Sequence, residues 1–323
     1  MTADDNILRK IAADMEAVNS IIRQQLKSDV ALVNHIGEYI INAGGKRIRP
    51  ALVLLFANAF DYHGVHHHSL AAVVEFIHTA TLLHDDVVDE SSLRRGLPTA
   101  NSLFGNAASV LVGDFIYSRA FQMMVSVNDL RVMQILADAT NIIAEGEVMQ
   151  LLNMRNADVT EEYYLKVIHS KTAKLFEAAA SIGALIAKAS KAEIDAAAEY
   201  GRSLGTAFQL IDDVLDYTGD ETEIGKNLGD DLREGKMTLP LIYLMGNGSD
   251  EQRELVRNCI ENGNEGAFKQ ILAAITASGG LEYARQEAVK AAQSAANAII
   301  RIPEGQNKTT LLELCNFSVG RNH

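Results

Sequence analysis

The sequence predicts an all-α fold for this chain of 323 residues, and three observations carry that expectation. Apolar residues recur at spacings of three and four along most of the chain, the period of a helix with a buried face. No alternating apolar and polar stretch lasts long enough to compete as a strand. The four prolines, Pro50, Pro98, Pro240 and Pro303, all fall where a helix would start or a loop would lie.

Taken in order, the periodicity predicts helices over 7–26, 30–43, 51–60, 67–88, 107–127 and 130–154. It continues over 161–187, 191–217, 239–245, 251–261, 265–277, 281–300 and 309–319. Pro50 sits just ahead of the third stretch and Pro240 opens the ninth. Short clusters of Gly, Asn, Asp or Ser separate the stretches. Several of them are apolar nearly all round, and such a helix is buried. The expectation is one large domain over 1–323, a helical bundle whose central helices are sheathed by others. No linker or low-complexity tract divides it.

Composition narrows the function. The chain is 48% hydrophobic, lacks Trp, and carries a net charge of −13, which argues against a nucleic-acid groove. Cys259 and Cys315 form neither a metal spacing nor a disulfide framework, which fits a reducing cytoplasm. Residues 1–11 carry charges and no apolar signal core. Apolar runs such as 71–83 are shorter than the roughly 20 residues a membrane span needs. A soluble cytoplasmic protein with no transmembrane segment is expected.

Two clusters of identical shape carry the chemistry: Asp85-Asp86-Val87-Val88-Asp89 and Asp212-Asp213-Val214-Leu215-Asp216. Each reads D-D-x-x-D at the end of an apolar helical stretch. Residues four apart share a helix face, so Asp85 projects with Asp89, and Asp212 with Asp216. Two such faces turned towards each other would crowd like charges unless cations lay between them. Oxygen-only ligands suit magnesium, which commonly bridges carboxylates to substrate phosphates.

Cations complement these clusters. Gly44-Gly45-Lys46-Arg47-Ile48-Arg49-Pro50 packs three of them ahead of a helix start, where backbone N–H groups favour an anion. It is no P-loop, since no strand precedes it and no Ser or Thr follows Lys46. Polar loops follow both clusters, at 91–102 with Arg94, Arg95 and Gly96, and at 218–238 with Lys226, Asp230, Asp231 and Lys236. Such loops can form a mobile lid, or simply a solvated connection.

Glu75 and His78 form one E-x-x-H, whereas di-iron bundles need two with extra glutamates. Residues 216–227 lack the sixth-position Gly and closing Glu of an EF-hand. Met123, Met124 and residues 115–121 read as core or subunit interface, and secondarily as pocket lining.

At this point the sequence resembles the trans-isoprenyl diphosphate synthases, and within them the long-chain bacterial type. The motifs carrying the resemblance are GGKRIRP at 44–50, LLHDDVVDESSLRRG at 82–96, GDF at 113–115, KTAKLF at 171–176, FQLIDDVLD at 208–216 and GKNLGDDLREGKMTLP at 225–240. The resemblance implies the isoprenoid synthase fold, with central helices around a deep apolar pocket. It also implies a sequential 1′–4 condensation of isopentenyl diphosphate onto an allylic diphosphate such as farnesyl diphosphate. Asp85, Asp89, Asp212 and Asp216 would hold three magnesium ions, with Asp213 in support. Arg94, Lys171, Thr172, Gln209, Lys226 and Lys236 would bind the allylic diphosphate. Lys46, Arg49, His78 and Arg95 would bind isopentenyl diphosphate. Asp85, Asp89, Asp212, Lys171 and Arg94 are the residues expected at the reacting bond.

Many relatives end in a basic tail; this chain ends Arg321-Asn322-His323, and no weight is placed on a tail contact. A homodimer is the family's habit.

Product length in the family depends on residues just before the first cluster. Ala80 and Thr81 stand there, with Thr81 one turn, about 6 Å, below Asp85. Both are small, and a Phe or Tyr would block a growing chain. An octaprenyl product serving a quinone side chain is expected, while heptaprenyl, nonaprenyl and geranylgeranyl-type products stay open. A catalytically silent subunit would have lost aspartates or basic residues that this chain keeps. A terpene cyclase would lack the second cluster and the GGKR site.

Overall fold

The computed structural model describes residues 9–219, 228–263 and 265–321. The all-α expectation holds. A 3-10 turn at Arg9–Ile11 leads into α1 (Ala12–Gln25), followed by α2 (Ala31–Asn42), α3 (Ile48–Ala59) and α4 (His66–Val88). After a two-stranded hairpin come α5 (Ala100–Phe104), α6 (Asn106–Val127), α7 (Leu130–Leu152) and α8 (Glu161–Ile168). A π-helical turn, His169–Ala173, joins α8 to α9 (Lys174–Ile186), and α10 (Lys191–Thr218) follows. The rest comprises α11 (Asp230–Arg233), α12 (Leu239–Asn247), α13 (Asp250–Asn262), α14 (Phe268–Ser278), α15 (Gly280–Ala298) and α16 (Gln306–Gly320).

The core is built around α3, of whose twelve residues nine are buried. Leu52, Leu54, Leu55 and Phe56 are fully enclosed, and each such side chain contributes roughly 1.5–3 kcal/mol of burial. Helix α3 packs on α4 and α9, α9 on α10, and α4 on α6. Helices α3, α4, α9 and α10 are therefore the inner layer. Ser190 starts α10 with a capping box: its hydroxyl accepts from the Glu193 N–H while the Glu193 carboxylate accepts from the Ser190 N–H.

Three departures from the periodicity matter for the site. First, the loop at 91–102 contains strands β1 (Leu93–Arg94) and β2 (Leu97–Pro98), paired Leu93 to Pro98 and Arg94 to Leu97. Arg95 and Gly96 form its two-residue turn with φ of 55° and 73°. Positive φ at both positions is the turn that matches strand twist. Second, the stretch 161–187 is not one α-helix, because the π turn interrupts it. Third, the short helix α11 lies inside a segment read as a loop, and α5 starts inside the other and runs two residues past it.

A candidate active site at the ends of two central helices

Both aspartate clusters sit at helix C-termini. Asp85 is in the last turn of α4 and Asp89 is its C-cap, while Asp216 lies in the last turn of α10. The helix macrodipole disfavours anions there, and burial adds to the penalty. Burial, and then the neighbouring Asp89, push the Asp85 carboxyl above its usual range, with Lys171 pulling the other way. Such carboxylates need cations.

The structure supplies them from separate elements. Lys171, on the π turn, lies 3.9 Å from Asp85 Oδ2 and 2.7 Å from Glu147 Oε2 on α7. Lys236 Nζ donates to Asp89 Oδ2 at 3.1 Å. Burial opposes the charge on Lys236, but Asp231, Asp89 and Glu234 hold its pKa above the usual value. The backbone N–H of Asp231 reaches Asp216 Oδ2 at 3.3 Å, and that of Lys236 reaches the Asp231 carbonyl at 2.8 Å. The segment after the second cluster thus ties Asp216 to Asp89 of the first. Among the described residues, the cluster carboxylates do not gather within 4.8 Å in a group of three. Asp85, Asp86, Asp89 and Asp212 each face a lysine or arginine.

Lys171 owes its position to a close approach. A Cβ on Gly146 would lie 2.8 Å from Ser170 Cβ and 2.9 Å from the Lys171 nitrogen. Glycine lets α7 press against the π turn, and π turns recur at functional sites. Next to it, Thr172 Oγ1 donates to Gln209 Oε1 at 2.7 Å, and Gln209 Nε2 donates to Asp213 Oδ1 at 2.8 Å. The Tyr164 hydroxyl donates to Asp213 Oδ2 at 2.5 Å. Asp213 is 3% exposed, and burial, assisted by Asp231, pushes its carboxyl up to about 8. It anchors Gln209 rather than facing outward with Asp212 and Asp216.

A second group of cations gathers at the start of α3. Its N-cap, Arg47, has φ 51°, and the Arg47 side chain makes no capping bond to the first-turn N–H groups. Arg47 is paired with buried Glu75, which explains the lone E-x-x-H: Glu75 is a counter-ion. Arg49 stacks over the Phe176 ring at 4.5 Å and donates to His78 Nε2 at 3.1 Å. Burial lowers Arg49 to about 10. Burial, followed by Arg49, Arg95, Arg94 and Arg47, holds His78 well below its usual value, so the imidazole is neutral and accepts. Arg95 donates to the Gly44 carbonyl, and a Cβ on Gly45 would lie 2.8 Å from Arg95 Nη1. Arg94 grips Asp86 at 2.7 and 2.9 Å. Lys46 stands over the Phe317 ring at 5.5 Å.

The structure therefore brings together Asp85, Asp89, Lys171 and Lys236, and separately Thr172 with Gln209 and Arg49 with His78. Lys226 lies outside the described residues. Ala80 is buried and Thr81 half-buried, its hydroxyl donating to the His78 carbonyl at 2.9 Å. A cleft lies on another face of α4, lined by Glu75, Phe76, Thr79 and Leu82 with Gly44 and Arg95.

A contact given no weight from the sequence is present: Arg321, just after α16, reaches the site. Arg321 Nη1 donates to Asp212 Oδ1 at 2.7 Å and Nη2 to the Phe208 carbonyl at 2.8 Å. The backbone turns α16 back along α10, which no spacing in the sequence announces. Sequence reasoning also missed Glu147 and Tyr164, which lie in no motif; the only local hint was an acidic residue beside Gly146.

Asp85, Asp89, Asp212 and Asp216 present only oxygens, the donor set of a hard dication. Lys171, Lys236 and Arg321 already hold positive charge against three of them, so the site fits a metal ion.

A model of the polyprenyl synthetase family matches residues 30–275. The chain is 53% identical over 312 residues to octaprenyl diphosphate synthase of Escherichia coli strain K12, covering 96% of this chain and 97% of that one. It is 50% identical over 320 residues to octaprenyl diphosphate synthase of Haemophilus influenzae, covering 99% and 97%. A polyprenyl synthase of Caulobacter crescentus CB15, crystallised with calcium and isoprenyl diphosphate, superposes with a TM-score of 0.96 at 42% identity, covering 99% and 98%.

Proposed function

The chain belongs to the polyprenyl synthetase family and is a prenyltransferase, and on that premise we propose that it is an all-trans-octaprenyl diphosphate synthase. It extends farnesyl diphosphate by successive condensations with isopentenyl diphosphate, supplying a quinone side chain. The observation that carries the site assignment is the 3.1 Å contact between Lys236 and Asp89. It draws the segment after the second cluster onto the first, so both clusters serve one diphosphate.

The roles follow from the chemistry. Asp85, Asp89, Asp212 and Asp216 hold magnesium, three ions per site. Bound magnesium supplies charge neutralisation for the departing diphosphate. Lys171, Lys236, Lys226 and Arg94 bind the same allylic diphosphate, and the tethered pair Thr172 and Gln209 lines its site. Lys46, Arg49, Arg95 and neutral His78 receive the diphosphate of isopentenyl diphosphate at the start of α3. The allylic carbon–oxygen bond breaks and its electron pair leaves with diphosphate. The double bond of isopentenyl diphosphate closes on the allylic carbon. A proton then leaves to the released diphosphate, which restores a double bond. Positioned cations act most strongly where charge develops on the leaving group, and apolar walls keep water from the carbocation.

Residues 1–323 act as one domain in this reading. Two copies form a homodimer through α6 and α7, which expose Leu111 (67%), Val125 (58%) and Leu152 (74%). Such a run of exposed apolar side chains fits a protein partner. Among the described residues no helix is long and apolar enough to cross a membrane. A cytoplasmic location is supported by Cys259 and Cys315, both buried and free.

The experiment is a count of diphosphate released against isopentenyl diphosphate consumed, with magnesium present. One for one supports condensation. Release without consumption supports hydrolysis of the allylic substrate and contradicts the proposal.

A further inference from the structure

The end of α4 remote from the aspartates carries a cluster that prenyl transfer does not use. His66, His67 and His68 form the first turn of α4, roughly 27 Å along the helix axis from Asp85 at 1.5 Å per residue. Asp14 on α1 meets them. Its Oδ1 lies 3.0 Å from His68 Nε2, and its Oδ2 accepts from Asn58 Nδ2 at 2.9 Å. The ligand atoms of Asp14, His67 and His68 all lie within 4.8 Å of one another. The two imidazole rings are 3.9 Å apart between centroids.

His67 supplies an independent observation. It is only 9% exposed, and its Nδ1 has no hydrogen-bond partner. Leaving a buried polar atom unmet costs about 1–3 kcal/mol. A neutral imidazole is the form that donates a lone pair to a metal.

We propose that Asp14, His67 and His68 form a site for a zinc-type transition-metal dication that fastens α1 to the start of α4. Two imidazole nitrogens and one carboxylate oxygen are ligands that zinc takes at about 2.0–2.2 Å. Tetrahedral zinc with such bonds sets its donors about 3.4 Å apart, close to the present Asp14–His68 separation, and a water completes the set. The Asn58 amide on the second carboxylate oxygen orients the ligand from behind. Magnesium, which demands oxygens in an octahedron, does not suit this site. The role is structural: the ion crosslinks the N-terminal helix to a central one.

The test uses untagged, chelator-treated full-length protein in excess magnesium, which occupies the oxygen-only clusters. Cobalt(II) is titrated as the probe, and its visible absorption and stoichiometry are read. The proposal expects one equivalent per chain with an intense tetrahedral band that zinc displaces. His67→Gln and Asp14→Asn, on different helices and checked for fold by circular dichroism, should each weaken binding by at least about tenfold. Zinc should raise the melting temperature of the parent protein and not of these variants. Absence of the band, or equal binding by both variants, would overturn the site and leave Asp14–His68 as an ordinary ion pair.

Discussion

Arg321 closes on Asp212: the guanidinium lies 2.7 Å from Oδ1 and stacks over the Phe208 ring at 4.3 Å. Its side chain is 5% exposed while that of Asp212 is 54% exposed. The arginine is thus held in place by packing, whereas the carboxylate faces outward. Arg321 sets a cation against a carboxylate that the proposed mechanism gives to magnesium. Metal binding at Asp212 must compete with this contact.

Arg321→Gln should therefore ease metal entry. A charge-assisted bond to a carboxylate this exposed contributes about 1 kcal/mol. The magnesium concentration for half-maximal turnover should fall by about fivefold. A magnesium titration of parent and variant checks this, and an unchanged midpoint would show that Arg321 and metal do not compete.

Asp85→Ala and Asp212→Ala remove proposed metal ligands from opposite helices. Each should lower kcat by about a hundredfold or more while circular dichroism stays unchanged. Near-normal turnover in either variant would remove that residue from the metal site.

Ala80→Phe and Thr81→Phe add bulk one turn below Asp85. The expected outcome is a shorter prenyl product, read by chromatography of the dephosphorylated material. An unchanged length would mean that neither residue faces the growing chain. Ala80 is fully enclosed, so Phe there also strains the core, and Thr81→Phe is the cleaner of the two.

His78 gives stability a pH dependence. Its folded pKa lies below the unfolded value of about 6.5. The native state then binds fewer protons than the unfolded one, so stability rises with pH through this window. The contribution is complete above about pH 6.5 and is lost as pH falls towards the folded value. His78→Gln should flatten that part of the curve, measured by urea unfolding between pH 5 and 8. An identical slope in the variant would mean that burial and the neighbouring arginines do not hold His78 neutral.

Leu111→Glu with Val125→Glu places charge on the exposed apolar face of α6. The pair should convert a dimer to a monomer in light scattering after gel filtration. A monomeric parent protein, or a dimeric variant, would rule out this face as the interface.

Much of this was legible because helical period and local motif are local properties. The stretches at 30–43, 67–88 and 191–217 appear within a residue or two of α2, α4 and α10, since each carries its own apolar face. The D-D-x-x-D clusters were readable for the same reason. The hairpin at Arg95-Gly96 was hidden, because its strands are two residues each and show no alternation. The π turn at Lys171 was hidden because apolar periodicity runs through it, and only the approach of Gly146 from α7 distinguishes it. Arg321 was illegible in principle: its partner lies 109 residues away and depends on how α16 packs against α10. Gln209 was legible as a motif residue, but not its tether to Thr172 and Asp213.

The most direct measurement gives purified protein farnesyl diphosphate, labelled isopentenyl diphosphate and magnesium, and separates the dephosphorylated products by length. A single product of eight isoprene units is the predicted result. No elongation by folded protein with metal present would contradict the central claim and point to a catalytically silent subunit.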